Sequence, residues 1–253
     1  MTNRLINITR RCLFVVAAVS TLAASAHAQD MKIRSIIHYT VKPDRTGDFE
    51  GALKEYNGVL RKAGWQKNAT WWLSLSGKRE YILVRYHEKY AEFDTSQDPA
   101  LKEVRPELTR ISARMMNCVE SMERVIDEVQ PELSLPRSKE IPPMISLLRV
   151  RVRPERVNDY IAAIKSDFMP AMKKSDIKAF VTARVRYGAS RMEFRSSLGL
   201  KDWADLDSPS DVVKAMGAEA YQRYLAKINP MLTSVELNLA RFSTELSYIA
   251  AQK

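Results

Sequence analysis

Thiols, imidazoles and glycines are scarce in this 253-residue chain, which has two cysteines, three histidines and eight glycines. If the leader ending at Ala28 is removed, Cys12 and His27 go with it, leaving Cys118, His38 and His87. A single thiol cannot close an internal disulfide, even in an oxidising compartment. Cys118 stands among Met115, Met116 and Val119 and reads as a small buried apolar residue rather than a reactive nucleophile. Two isolated histidines and one cysteine give no zinc or iron spacing, so no metal site is expected. The glycines are scattered, with no phosphate-cradling loop and no Gly-x-Ser-x-Gly elbow. After the N-terminus no apolar run approaches the roughly 20 residues of a membrane span. The charge of +10 is not concentrated in runs; its basic residues alternate with acids, which reads as a solvated surface and argues against nucleic acid as a partner.

The first 28 residues have the form of a signal peptide. Arg4, Arg10 and Arg11 precede a short apolar stretch from Cys12 to Ala26, and Ala26-His27-Ala28 is a small-x-small cleavage site. The expected cut lies between Ala28 and Gln29. The mature protein is then periplasmic or secreted, with no stable membrane insertion.

What is present in quantity is internal similarity. The segment Pro43-Asp44-Arg45-Thr46-Gly47-Asp48-Phe49 has a counterpart in Pro154-Glu155-Arg156-Val157-Asn158-Asp159-Tyr160. Tyr90-Ala91-Glu92-Phe93-Asp94-Thr95 has another in Trp203-Ala204-Asp205-Leu206-Asp207-Ser208, at nearly the same separation. A tandem duplication is the expectation, with repeats over 31–132 and 144–250 and a proline-rich linker at 133–143. Each half opens with period-two alternation, Ile37, Tyr39 and Val41 against Ile36, His38 and Thr40, then Leu148, Val150 and Val152 against Leu147, Arg149 and Arg151. After Pro43 and Pro154 the spacing becomes helical, and Pro170 should break the second of these helices. Glycine-containing hairpins at 76–78 and 187–190, a second helix and a last strand complete each half. The order is βαββαβ, the ferredoxin-like arrangement.

Val41-Lys42-Pro43 and Val152-Arg153-Pro154, followed by Phe49 or Tyr160, together with the aromatic-Ala-acid-hydrophobe-Asp step, resemble the dimeric alpha-beta barrel superfamily. That group includes NIPSNAP-like and antibiotic-biosynthesis-monooxygenase-like proteins. The resemblance implies an α+β fold of two tandem ferredoxin-like βαββαβ repeats forming a fused pseudo-dimeric alpha-beta barrel, packed sheet to sheet, as a monomer or a higher homo-oligomer. It does not transfer one function, because the fold hosts oxygenases, isomerases and haem-handling proteins. The haem-handling members use a helical axial histidine, and no mature helix here contains one, so no cofactor is expected.

On this reading a small organic ligand, anionic if arginines read it, occupies the barrel cleft and is lined by Trp72, His38, Arg149, Arg151, Arg184 and Arg186. The arginines form either an anion site or ion pairs with Glu193 and nearby aspartates. Trp71 and Trp72 point to opposite faces, one into the helix-packed core and one into the barrel. His38 is either a base or a structural hydrogen-bonding residue, and His87, beside Glu88 and Lys89, is expected to be solvated. The alternatives to a binding protein are a cofactor-independent monooxygenase or isomerase using His38 as base and Trp72 as platform, and an envelope interaction protein.

Overall fold

Proline sets the first corner of each half. Strand β1 (Ile33–Val41) gives way to a 3-10 turn at Pro43–Arg45, where the imino ring fixes φ and removes a ladder donor, and helix α1 (Thr46–Lys62) follows. The chain continues through β2 (Ala69–Ser74), β3 (Tyr81–His87), α2 (Arg105–Asn117) and β4 (Val119–Val129). The second half runs β5 (Met144–Val152), a 3-10 turn at Pro154–Arg156, α3 (Val157–Ala163) and α4 (Met169–Lys174). It ends with β6 (Phe180–Tyr187), β7 (Glu193–Leu200), α5 (Asp211–Met216), α6 (Ala218–Ile228) and β8 (Leu232–Tyr248). Between α3 and α4 the backbone opens into a π turn at Ile164–Phe168, directly before Pro170, whose missing N–H prevents a continuous α ladder. This computed structural model describes residues 32–94, 98–136, 138, 140–207 and 209–251; the leader expected at 1–28 lies outside them.

The expected fold class is corrected by the strand pairing. The eight strands make one closed antiparallel barrel in the order β1-β3-β2-β8-β5-β7-β6-β4, carrying few and mostly short helices outside. They are not two ferredoxin-like repeats, each with its own sheet, packed sheet to sheet as a fused pseudo-dimer. The ladders β2–β8 and β4–β6 overturn that picture, because they join the halves edge to edge by backbone hydrogen bonds. Unpaired strand edges leave rows of donors and acceptors without partners, and closure removes them. Gly188, at φ +86°, sits where a Cβ would come within 2.0 Å of the Arg124 carbonyl oxygen, so only glycine lets the β6–β7 hairpin lie against β4 at this seam. The proline-rich segment is also docked at its start: Leu133 is fully buried and the Leu135 N–H donates to the Phe180 carbonyl at 2.9 Å.

Alternation along the strands separates two environments. Outward residues of the first half, including Tyr39, Trp71, Tyr81 and Leu83, pack with Phe49, Leu53 and Leu60 of α1 and Ile111 of α2. Val150 and Phe194 play the same part under Tyr160 and Met172 in the second half. Inside the barrel a small apolar cluster of Ile36, Trp72, Ile82, Ile145 and Ala240 is joined by charged residues. The deepest of these is Asp127, whose two carboxylate oxygens accept from Arg34 Nε and Nη2 at 3.0 and 2.8 Å. Burial works against the Arg34 charge, but Asp127 more than offsets it and the guanidinium pKa is raised.

Asp127 is completely buried, so removing its carboxylate strands a guanidinium in the interior. Asp127→Ala is expected to cost about 3–5 kcal/mol in urea unfolding. The double replacement Arg34→Met, Asp127→Leu should recover most of that loss. A single variant within about 1 kcal/mol of the parent would show that the pair is not isolated from water.

Candidate functional site

The six residues expected to share one compartment are divided by the barrel wall. His38, Trp72, Arg149 and Arg151 project inward, as the register pairs His38 with Glu123, Arg149 with Arg195 and Arg151 with Glu193. Arg184 and Arg186 project outward: Arg184 pairs with outward-facing Phe194, holding its guanidinium 5.6 Å from that ring, and Arg186 Nε donates to Glu128 at 2.7 Å. The placement of these two corrects the expectation that they line the cleft, because β6 turns alternate residues away from its interior Ala183 and Val185.

The inward arginines already have acidic partners. Arg149 lies 3.4 Å from Glu193, 3.2 Å from Glu236 and 3.7 Å from Glu123, and Arg151 lies 3.7 Å from Glu193. Arg195 Nε donates to Glu193 at 2.7 Å, while its buried Nη2 makes no hydrogen bond to a described residue. Burial disfavours charge on Glu193, yet Arg195 and Arg149 hold its carboxyl below the usual range. Burial and Arg149 also pull Arg195 down, but a guanidinium starting above pH 12 stays charged. His38 Nδ1 contacts Glu80 Oε2 at 2.8 Å, and this hydrogen bond holds the Glu80 carboxyl low. Trp72 packs its ring 5.3 Å from Phe242. The arginines thus meet carboxylates, and Trp72 meets another ring, within the protein itself.

An unfilled space lies on the other side of the wall, between the barrel and helices α1 and α2. This cavity of about 180 Å³ is bounded by Ile37 and Tyr39 of β1, Trp71 of β2 and Leu83 of β3, and by Tyr56, Asn57 and Ser112 of the two helices. Tyr39 and Trp71 form a tilted aromatic pair with centroids 5.5 Å apart and planes at 31°. Two arginines also line it, Arg85 of β3 and Arg124 of β4, and no lining residue is acidic. Neither makes an ion pair among the described residues; Arg85 lies 5.6 Å from the Trp65 ring, and its Nε is buried without a hydrogen-bond partner. Burial raises the Tyr39 pKa although Arg85 and Arg124 oppose it, so the phenol stays protonated and can donate. A more open groove of about 380 Å³ separates the start of α1 from the end of α2, but its arginines, Arg45 and Arg114, are paired with Asp48 and Glu55.

No protein-family model matches the sequence, and no curated protein matches it. Solved structures share the fold. A candidate monooxygenase from Lactobacillus acidophilus NCFM aligns over 87% of this chain and 98% of its own at 8% identity, with a TM-score of 0.60. An anthrone oxidase-like protein aligns over 89% and 98% at 12% identity, with a TM-score of 0.57. Chlorite dismutase from Candidatus Nitrospira defluvii, in complex with imidazole, aligns over 86% and 93% at 9% identity and a TM-score of 0.53. At these identities the likeness is one of fold.

His87, expected to be solvated, is 5% exposed. The Tyr90–Phe93 turn folds over it, placing the Phe93 ring 4.3 Å from the imidazole, and neither ring nitrogen has a hydrogen-bond partner among the described residues. Burial lowers its pKa from 6.5; Glu92 at 3.8 Å opposes this, and Arg85 and Lys67 add to it. The imidazole is neutral in both folded and unfolded chains above pH 6.5, so stability is full there. As pH falls the unfolded chain takes up the proton first, and stability declines until the folded pKa is reached. His87→Phe keeps the ring contact without the titration. Its Tm advantage over the parent is expected to widen between about pH 7.5 and about pH 5. Parallel pH profiles would show that His87 protonates freely in the native state.

Proposed function

We propose that this protein binds a small aromatic molecule in the cavity between α1, α2 and the outer face of the barrel. The observation that carries the reading is the space beside the paired Tyr39 and Trp71 rings. Protein interiors are close-packed, and a dry cavity of about 150 Å³ is enough to hold benzene. The 180 Å³ present here therefore suits one ring with a small substituent. Flat rings gain both apolar burial and offset ring contacts against such a wall.

Oxygenase chemistry is the second reading, suggested by the candidate monooxygenase and anthrone oxidase-like neighbours. The cavity lining contains no carboxylate or imidazole. A phenolic substrate would therefore arrive ionised or be oxidised without a wall residue acting as base. Both readings require an open cavity, which makes one variant informative.

Ser112 is a half-buried residue of α2 that faces the space, so Ser112→Phe should fill it without removing a core side chain. Ligand-observed NMR with phenol is expected to show saturable binding to the parent and none to Ser112→Phe, with Tm unchanged or raised. Any phenol-dependent oxygen uptake should be lost in the same variant. Equal phenol binding by the two proteins would place the ligand elsewhere.

A further inference from the structure

We infer that the ligand carries a carboxylate on its ring, held by Arg85 and Arg124, so that the chain selects monocyclic aromatic acids. This rests on the cavity reading above and adds the chemical class. Three facts combine. Two guanidiniums from neighbouring parts of the wall reach one space, and that space has no acidic residue on its lining. Every inward arginine considered above has a carboxylate within 4 Å, whereas Arg85 and Arg124 have none among the described residues. Finally, Arg85 Nε is buried and makes no hydrogen bond to a described residue, so the protein itself leaves this guanidinium's charge uncompensated.

The geometry favours a carboxylate over a bulkier or more dispersed anion. A guanidinium presents parallel N–H groups that match the two oxygens of a carboxylate, and the Arg85 guanidinium carbon lies over the Trp65 ring, 5.6 Å from its centroid. Arg124 is exposed and sits where the cavity meets solvent, so it contributes attraction at the entrance. Tyr39 lines the same space and adds a neutral hydroxyl donor. The ring of the acid then lies against Trp71, with the charged end toward Arg85.

Calorimetric titration of the full-length protein with benzoate and with benzamide, its neutral analogue of similar shape, tests the inference. Benzoate is expected to bind at least about tenfold more tightly, with the preference shrinking as salt is raised. Arg85→Gln should abolish the preference while leaving benzamide affinity within about threefold. Arg124→Gln, at an exposed position, should weaken benzoate less and mainly slow its association. Circular dichroism of both variants checks folding; if Arg85→Gln is unfolded, the salt dependence and Arg124→Gln decide the matter. Equal affinity for benzoate and benzamide, lost together in Ser112→Phe, would overturn the acid preference and leave the cavity reading standing. Absence of binding by either compound would overturn both.

Discussion

The ladders that tie β2 to β8 and β4 to β6 govern what the rest of this molecule can do. Once those edges are bonded, the inward faces of eight strands share one narrow interior. Charged side chains on those faces have no route to bulk water except through the barrel ends. Arg34 must then find Asp127, and Arg195 must find Glu193, while the less buried Arg149 and the exposed Arg151 meet the same glutamate nearer the solvent. Burying a charge without a partner costs several kcal/mol, on the order of half the stability of an ordinary domain. The barrel interior is therefore a structural compartment, filled by an apolar cluster and by ion pairs of both signs.

Closure also moves the available space outward. The helices rest on the wall through large side chains, Phe49, Leu53, Trp71 and Tyr81 in the first half and Tyr160, Phe194 and Met172 in the second. In the first half α1 and α2 leave a gap beside Trp71 and Tyr39. That gap collects two arginines, Arg85 and Arg124, that have no acidic partner among the described residues. Charge is balanced inside the wall and unbalanced outside it, and this contrast makes the outer cavity the place where an anion would gain most.

Much of the local structure could be read from the chain. The turns after Val41 and Val152, the interruption near Pro170, the hairpins at Gly77 and Gly188 and the opposite facing of Trp71 and Trp72 all follow from proline, glycine and period-two alternation. The closing pairs were not legible, because no local spacing says which strand edge meets which across more than 150 residues in β2–β8. The same limit hid Glu80 as the partner of His38, 42 positions away, and Asp127 as the partner of Arg34, 93 positions away. Arg184 and Arg186 were placed on the wrong side because an arginine-rich strand shows period two without showing which phase faces inward. His87 looked solvated beside Glu88 and Lys89, but the following turn folds Phe93 over it. Arg85 and Arg124 gave no sequence signal as a pair, since only the β3–β1–β4 pairing brings them to one cavity.

The central claim is that small molecules meet this protein outside the barrel wall. A crystal structure of the protein grown with benzoate tests it most directly. The account predicts ligand density between the Trp71 ring and the Arg85 guanidinium, beneath α1 and α2. Density inside the barrel, among Trp72, Arg149 and Arg151 with their glutamates displaced, would contradict it.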